Sequence, residues 1–380
     1  MIIERPGLER RVLASLDASR IPVVLGGCGM GRTSLLLRLT HLLRQTHSAY
    51  LDLGAAATTP ERCLASILSA SSVLRSRRAA EPTVESPRAA FDALLTFFDT
   101  AATADGERVT FLIDEVLDVR TFESFPGLRH VQREIVARLA ASPNRFVLAS
   151  RFTARAHRLL RDAPAQFEVI HVPPLEVSDV QAVALQFDGA HPEWARAVAP
   201  AVTALSGGRA SYVALLLESL ATMGAAIDPV AAVAALVAPD GRLAARCRES
   251  CELRLQRARG YGALKAILGI LAEDEPLNLT EIALRLHRTP GSTKDYLSWL
   301  EDVDLVTAQR KRYSFDDPLL RLYLRLYGRP VPPSDDDLVR EVHAYAQARL
   351  PRAPDRPVAP ALATAERLAD GAQSGIIEID

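Results

Sequence analysis

The sequence predicts an α/β fold whose first half is a parallel sheet with helices on both faces. Two observations support this prediction. Short apolar runs typical of buried parallel strands alternate with longer segments of helical periodicity, and the clearest runs are IPVVL at 21–25 and RVTFLIDEV at 108–116. After Leu175 the strand-like runs stop, and helical periodicity continues to about Arg259. We therefore expect a sheet-containing core followed by a helical region.

The elements of this core are predicted in order along the chain. The runs with strand character are 21–25, 48–56, 108–116, 144–151 and part of 167–175. The segments with helical character are 7–19, 32–45, most of 58–107 and 127–142, with a polar loop at 76–88. Strands and helices that alternate in this order favour a parallel sheet.

Length and composition narrow the class of protein. A chain of 380 residues predicts two to three domains, and its net charge of −1 gives no global reason for a nucleic-acid or anionic-membrane partner. The four cysteines form no C-x-x-C pair and no zinc-finger spacing. No signal core and no run of 18 apolar residues occurs, so we expect a cytoplasmic protein without a membrane partner.

The segment GGCGMGRTSLLLRL at 26–39 is a candidate phosphate-binding loop. It follows an apolar strand and opens a helix, and it fits G-x-x-x-x-G-K-[ST] except that Arg32 stands in place of lysine. In such a loop, backbone N–H groups and the positive end of the helix dipole surround a phosphate. The predicted nucleotide-binding residues are Gly26, Gly27, Cys28, Gly29, Met30, Gly31, Arg32, Thr33 and Ser34.

Two later strands end in polar residues that complete the predicted site. Asp114 in FLIDE and the hydroxyl of Thr33 are the candidate Mg²⁺ ligands, and Glu115 is the candidate base that activates water. Ser150 and Arg151 in LASR are positioned to sense the γ-phosphate, and Arg151 can add charge in the transition state. One strand separates the loop from FLIDE, which suits nucleotidases with an extra strand in the sheet.

Residues 260–328 predict a smaller unit of three helices and a hairpin. This order is the plan of a winged helix-turn-helix, with Ser292 as the expected N-cap of the third helix. In a DNA-binding version Lys294 would enter the major groove, and Arg310, Lys311 and Arg312 would meet phosphates. Acidic residues are about as frequent as basic ones here, so the unit is equally compatible with protein binding.

Together these motifs resemble the STAND and archaeal-type AAA-like ATPases, relatives of the origin-initiator AAA+ proteins. The resemblance covers about residues 1–328. The motifs that carry it are ERPGLERRVLASL, GGCGMGRTSLL, FLIDE, LASR, IHVPPLEVSDV, ALSGGRASYV and DDPLLRLYL. Individually most of them are loose, but their order along the chain is specific.

The resemblance implies an ATP-dependent switch with bound ATP or ADP and Mg²⁺. It implies a P-loop NTPase core at 1–177, a helical lid at 178–258 and a winged helix at 259–330, followed by a proline-rich linker and tail at 331–380. It also implies that Arg209, in the lid motif, acts as a sensor of nucleotide. A protein partner is expected, and an oligomer is compatible with the family.

The sequence leaves three functions open. The first is an ATP-binding switch with slow hydrolysis, and Arg32 in place of lysine is the reason that hydrolysis stays undecided. The second is a non-catalytic scaffold that binds protein. The third is a DNA-binding regulator that uses the basic RKR tip of the hairpin.

Overall fold

A computed structural model describes residues 3–43, 47–71, 75–76, 86–187, 191–223, 228–255, 260–329 and 331–351. The strands are β1 (Ile21–Leu25), β2 (Ser48–Asp52), β3 (Arg75–Ser76), β4 (Ala101–Ala102), β5 (Thr110–Asp114), β6 (Arg145–Ser150), β7 (Phe167–His171), β8 (Leu277–Asn278), β9 (Val306–Gln309) and β10 (Arg312–Phe315). Residues 352–380 of the predicted linker and tail at 331–380 lie outside the described residues, as does most of the predicted polar loop at 76–88.

The first part of the chain contains seven short to medium α-helices and one 3-10 helix among its described residues. They are α1 (Pro6–Asp17), α2 (Arg32–Leu42), α3 (Leu53–Ala56), α4 (Pro60–Ala70), α5 (Pro87–Thr100), the 3-10 helix Val116–Ser124, α6 (Val131–Ala141) and α7 (Thr153–Leu160). The helices that follow are α8 (Val177–Ala184), α9 (Pro192–Ser206), α10 (Ala210–Met223), α11 (Pro229–Val237), α12 (Arg242–Leu255), α13 (Tyr261–Glu273), α14 (Leu279–Arg285), α15 (Pro290–Asp302), α16 (Pro318–Tyr327) and α17 (Asp335–Arg349).

Five parallel strands form the central sheet in the order β2-β5-β6-β1-β7. Every residue of β1 and β5 is buried, which explains why both read as continuous apolar runs. Strand β6 lies between β1 and β5, so the expectation of an extra strand in the sheet is confirmed. Because all five strands are parallel, their carboxyl ends meet at one edge, where the polar residues of the predicted site also lie.

Alternate residues of the strands pack on opposite faces of this sheet. On one face, Phe111 of β5 stacks on Phe146 of β6 at 5.6 Å and meets Phe98 of α5 at 5.2 Å between ring centroids. On the other face, Leu112 packs in a cluster with Leu36 and other residues of α1 and α2. The sheet is therefore covered on both faces, as predicted, and helix α2 is fixed against it directly behind the glycine loop.

The residues after β7 are helical up to α13, and a second sheet follows. Strands β8, β10 and β9 form this antiparallel sheet in that order, and helices α13, α14 and α15 are interleaved with them. We call residues 260–315 the hairpin unit. The expected cap of α15 was wrong: Thr289, not Ser292, is the N-cap, because Pro290 has no N–H and suits the first helical position.

Helix α17 lies within the segment 331–380 that the sequence assigns to linker and tail. Ser334 and Asp337 form a capping box that starts it. Tyr345 donates a hydrogen bond to the carbonyl of Leu205 at 2.5 Å, and Arg325 of α16 pairs with Glu341 at 2.5 Å. The helix is therefore packed on α9 and α16. No helix in the described part of the chain is both long and apolar enough to cross a membrane.

Candidate functional site

The glycine loop lies between β1 and α2 and needs glycine at two positions. Gly29 and Gly31 have φ of +79° and +93°, which disfavours any residue with a Cβ. A Cβ on Gly29 would also lie 2.3 Å from Oγ of Ser211 in α10. The backbone N–H of Ser211 donates to the Gly29 carbonyl at 2.9 Å. The loop is thus shaped by its glycines and covered from outside by the start of α10.

The start of α2 presents unpaired backbone donors to a cavity. Within the described residues we find no acceptor for the backbone N–H groups of Gly31, Arg32 or Thr33. The cavity has a volume of about 780 Å³ and is lined by 28–34 together with residues of the N-terminal segment, α10 and α12. Unpaired N–H groups at a helix N-terminus bind anions, and phosphate is the ligand that this arrangement suits.

Arg32 is buried inside the loop, with 7% of its surface exposed. Its Nη1 donates to the carbonyls of Gly26 and Gly27, the latter at 2.8 Å. Its Nη2 donates to Oε1 of Glu115 at 2.6 Å, which forms a buried ion pair. One arm of the guanidinium therefore holds the loop, and the second arm holds the carboxylate that the sequence assigns as the base. A lysine ammonium could not make both contacts from one position.

Glu115 follows β5 in the left-handed conformation, with φ of 52°. Its second oxygen, Oε2, accepts a hydrogen bond from the backbone N–H of Arg151 at 3.1 Å, and Nη1 of Arg151 lies 3.6 Å from Oε1. Both carboxylate oxygens are therefore engaged by donors. Glu115 is fixed in place by these contacts with Arg32 and Arg151.

Asp114 and Thr33 form the second half of the site. The Thr33 hydroxyl donates to Oδ2 of Asp114 at 2.6 Å, and the hydroxyl of Tyr50 in β2 reaches the same oxygen at 3.2 Å. Burial, and then the nearby charge of Glu115, raise the pKa of Asp114. A hydroxyl and a carboxylate are oxygen ligands that Mg²⁺ accepts, so these residues fit such an ion. In the described ranges there is no cluster of three or more His, Cys, Asp or Glu residues suited to a metal.

The predicted sensors Ser150 and Arg151 are not among the residues that line the cavity. Ser150 is fully buried, and its Oγ accepts a hydrogen bond from the backbone N–H of Phe152 at 3.1 Å. Arg151 pairs with Oδ2 of Asp118 at 2.7 Å. Neither side chain reaches the cavity in this conformation, although both lie at the same strand edge as Asp114.

Arg209 precedes α10 and connects the loop to the segment after the hairpin. Its Nη1 donates to the Cys28 carbonyl at 2.8 Å, and its Nη2 donates to the carbonyl and Oδ2 of Asp316 at 2.9 and 2.8 Å. Its Nε lies 3.7 Å from Oδ2 of Asp317. Burial alone lowers the pKa of Arg209, but Asp317 and Asp316 outweigh it and raise that pKa. We call this set the Arg209 bridge.

A second arginine makes a parallel connection. Arg254 in α12 is 6% exposed and donates to the carbonyl of Asp304 at 3.1 Å. Asp304 in turn accepts the backbone N–H of Thr153 at 2.6 Å, at the start of α7. The glycine loop, α7 and the two ends of the hairpin are thus linked through two arginines and their acidic partners.

Several of these partners were not predicted as site residues. Asp316 and Asp317 lie in the quoted DDP motif, which was a usable signal, and Asp317 also accepts the Tyr212 hydroxyl at 2.6 Å. Tyr50, Asp118 and Arg254 are single residues within ordinary strand or helix patterns. The sequence carried no signal for them, since their roles depend on contacts between distant segments.

The residues predicted for DNA contact lie on the surface of the hairpin unit. Lys294, Arg310 and Lys311 are exposed, and the last two have φ of 50° and 64° at the hairpin tip. Arg312 is also exposed but donates to the carbonyl of Pro276 at 2.9 Å. Lys294 lies on α15, the third helix of the hairpin unit, and Arg310 and Lys311 lie at the tip of its hairpin.

The parallel sheet and the glycine loop together define the class of this chain by its fold, which is that of a P-loop NTPase. A Walker-type ATPase of Pyrococcus abyssi has a similar structure, with a TM-score of 0.60 and 16% identity over 85% of this chain and 96% of that one. No protein-family model matches the sequence, and no curated protein is significantly similar to it.

Two further solved structures match less closely. The Orc1 protein of Aeropyrum pernix in complex with DNA gives a TM-score of 0.44 at 15% identity, covering 92% of this chain and 95% of that one. A STAND protein with a tetratricopeptide repeat sensor from Pyrococcus horikoshii gives 0.34 at 15% identity, covering 89% of this chain and 44% of that one. The chain therefore spans less than half of the P. horikoshii protein, and neither TM-score is high enough to assign a fold.

Proposed function

We propose that this protein is a nucleotide-controlled switch that binds ATP or ADP with Mg²⁺ and hydrolyses ATP slowly. The unpaired N–H groups of Gly31, Arg32 and Thr33 at the cavity are the observation on which this proposal rests. The similarity to a Walker-type ATPase supports adenine nucleotide as the ligand. Thr33 and Asp114 would hold Mg²⁺, which would supply positive charge to the phosphates.

Slow hydrolysis follows from the contacts of Glu115. In this proposal Glu115 is the base, but Arg32 holds its Oε1 at 2.6 Å and Arg151 holds its Oε2 at 3.1 Å. A water molecule activated by Glu115 would have to share these oxygens with the two donors or displace one of them. In this proposal nucleotide binds readily but its γ-phosphate is removed slowly. Slow removal suits a switch protein that stays in its ATP-bound state for a long time.

The Arg209 bridge supports the switch part of the proposal. Arg209 contacts the loop carbonyl of Cys28 and the carboxylate of Asp316 at the same time, both at 2.8 Å. Nucleotide phosphates in the loop would compete with Asp316 for this arginine. We propose that this competition loosens residues 259–330 from the core at 1–177 and the lid at 178–258, which frees the winged helix for a partner.

Calorimetric titration of ATP and ADP, with and without Mg²⁺, tests this function. We expect ATP binding that Mg²⁺ strengthens. Thr33→Ala should remove the Mg²⁺ dependence. Thr40→Ala should keep it, because Thr40 lies on the same helix and its hydroxyl donates to the Leu36 carbonyl. No heat from the parent protein at millimolar nucleotide would overturn the proposal and leave the scaffold function in its place.

A DNA-binding function is the second candidate, and the exposed tip residues Arg310 and Lys311 favour it. Phosphate contacts make affinity fall steeply as salt rises. Binding of duplex DNA at low salt that weakens along a salt series, and that Lys311→Gln reduces, would support it. The partner is a protein instead if no duplex binds at low salt.

A further inference from the structure

A second cavity, of about 630 Å³, lies between the 3-10 helix, α6 and α7. It shares no lining residue with the cavity in front of the glycine loop. Cavities of several hundred Å³ are typical of small-molecule sites. The basic residues that line it are Arg120, Arg133, Arg155 and Arg158. Four arginines around one cavity favour a negatively charged ligand.

Acidic side chains compensate only part of this positive charge. Nη2 of Arg158 donates to Oδ1 of Asp302 in α15, and Nε of Arg120 lies 3.8 Å from Oε2 of Glu123. The third carboxylate in the lining belongs to Asp162, which is exposed and forms no ion pair within the described residues. Two of the four arginines are therefore left without an acidic partner.

The arginines without an acidic partner in the described chain are Arg133 and Arg155. Arg155 is half-buried and packs over the ring of Phe152, with its guanidinium carbon 4.7 Å from the ring centroid. Its Nε is buried without a hydrogen-bond partner in the part of the chain that the structure describes. Burial, and then the charge of Arg120, lower the pKa of Arg155 to about 10, although nearby carboxylates act in the opposite direction. A partly buried cation without a partner lowers stability, and an anion in the cavity would remove that cost.

We propose that this cavity binds the phosphate group of a small molecule, with Arg155 and Arg133 as its main ligands. A guanidinium presents its N–H groups as a planar fork that matches two phosphate oxygens. A phosphate monoester carries a charge of about −1.5 to −2 at pH 7, which suits two unpaired guanidinium groups better than a single carboxylate does. The site does not depend on the proposed function, because nucleotide in the glycine loop plays no part in it.

Asp302 connects this site to the hairpin unit. Of the residues that line the cavity in the described chain, Asp302 alone comes from that unit, and its partner Arg158 lies on α7. A phosphate in the cavity is repelled by the Asp302 carboxylate and competes with it for Arg158. Bound phosphate and the contact between α7 and α15 therefore oppose each other, and by linkage each weakens the other.

Calorimetric titration of the full chain with inorganic phosphate and with glycerol 3-phosphate, in nucleotide-free buffer at physiological ionic strength, tests the site. We expect both compounds to bind and glycerol, which lacks the phosphate, not to bind. Tighter binding of glycerol 3-phosphate would identify the ligand as a phosphate ester, and equal affinities would identify it as free phosphate. The site is overturned if neither compound binds.

Arginine variants show whether the phosphate binds in this cavity. Arg155→Gln should weaken binding about tenfold or more, as the loss of a charged hydrogen-bond donor predicts. Arg133→Gln should weaken it by a smaller factor and serves if Arg155→Gln does not fold. Arg129 is exposed just before α6 and does not line the cavity, so Arg129→Gln should change the affinity by less than about twofold. Binding that Arg155→Gln and Arg133→Gln both leave unchanged would place the phosphate elsewhere and contradict the site.

Asp302→Asn tests the competition with the hairpin unit. Removal of this carboxylate should strengthen binding of glycerol 3-phosphate about two- to fivefold, the range expected for one partly exposed charge. An affinity that stays the same or falls would overturn the competition, whereas the arginine variants decide the site itself. If the protein binds no ATP, the proposed function fails, and these titrations still decide whether the cavity binds phosphate.

Discussion

Arg32→Lys tests whether the pairing of Arg32 with Glu115 restrains the proposed base. Lysine keeps a positive charge near the carbonyls of Gly26 and Gly27 but lacks the second arm, which lies 2.6 Å from Oε1 of Glu115. A hydrogen bond to a charged group contributes about 1.5–3 kcal/mol. If this bond restrains the base, its loss lowers the barrier by the same amount, which corresponds to a rise in kcat of about 10- to 100-fold.

The assay is phosphate release at saturating ATP and Mg²⁺. Arg38→Lys is the matched control, because Arg38 lies on the same helix and pairs with Glu4 and Glu9 instead of Glu115. It should leave kcat within about twofold, as expected for a half-exposed pair. The gain from Arg32→Lys should vanish when Glu115→Gln is added. A kcat that does not rise, or a gain that survives Glu115→Gln, would refute the restraint of the base.

Three further predictions concern the bridge, pH and the core. Asp316→Asn removes a charged partner of Arg209 and should speed hydrogen exchange in the hairpin unit. Asp295→Asn, at an exposed position, should leave that exchange unchanged. Equal exchange rates in the two variants would count against the Arg209 bridge. Burial raises the pKa of Asp304 to about 6 from 3.8, so its carboxyl favours folding at low pH and loses this contribution as pH rises through 6. Asparagine tolerates the φ of 52° at position 304. Asp304→Asn should therefore raise the urea midpoint above that of the parent at pH 7.5 and lose this advantage at pH 4. The same difference between variant and parent at both pH values would be inconsistent with this pKa. Phe111→Ala should lower the free energy of unfolding, measured in urea, by about 3–5 kcal/mol. Leu284 is 75% exposed, so Leu284→Ala should lower it by less than about 0.5 kcal/mol. Similar losses in the two variants would contradict the assigned core.

The local parts of the site could be predicted from sequence because they depend on neighbouring residues. Glycines before a helix and an apolar strand that ends in Asp114 have one common structural solution, and the parallel sheet brings Asp114 and Thr33 to 2.6 Å. The alternation of apolar runs with helices predicted the parallel sheet, and the spacing between the glycine loop and FLIDE predicted its extra strand.

The partners of the arginines could not be predicted in this way. The contact of Arg32 with Glu115 spans 83 residues, and that of Arg209 with Asp316 spans 107. Such pairs depend on how distant segments of the chain pack together, and the periodicity of apolar residues does not predict that packing. Helix α17 was missed for a different reason. Its exposed acidic first turn is typical of a solvated tail, and its packing on α9, α11 and α16 involves segments distant in the sequence.

The guanidinium of Arg32 also determines which covalent chemistry can reach the glycine loop. A loop lysine can be acetylated, which removes its charge, but a guanidinium stays protonated and is not a substrate for lysine acylation. The three lysines of this chain, Lys265, Lys294 and Lys311, all lie in the hairpin unit. Acyl donors that act on lysine can therefore alter the surface charge of the hairpin unit while the charge at the glycine loop stays constant.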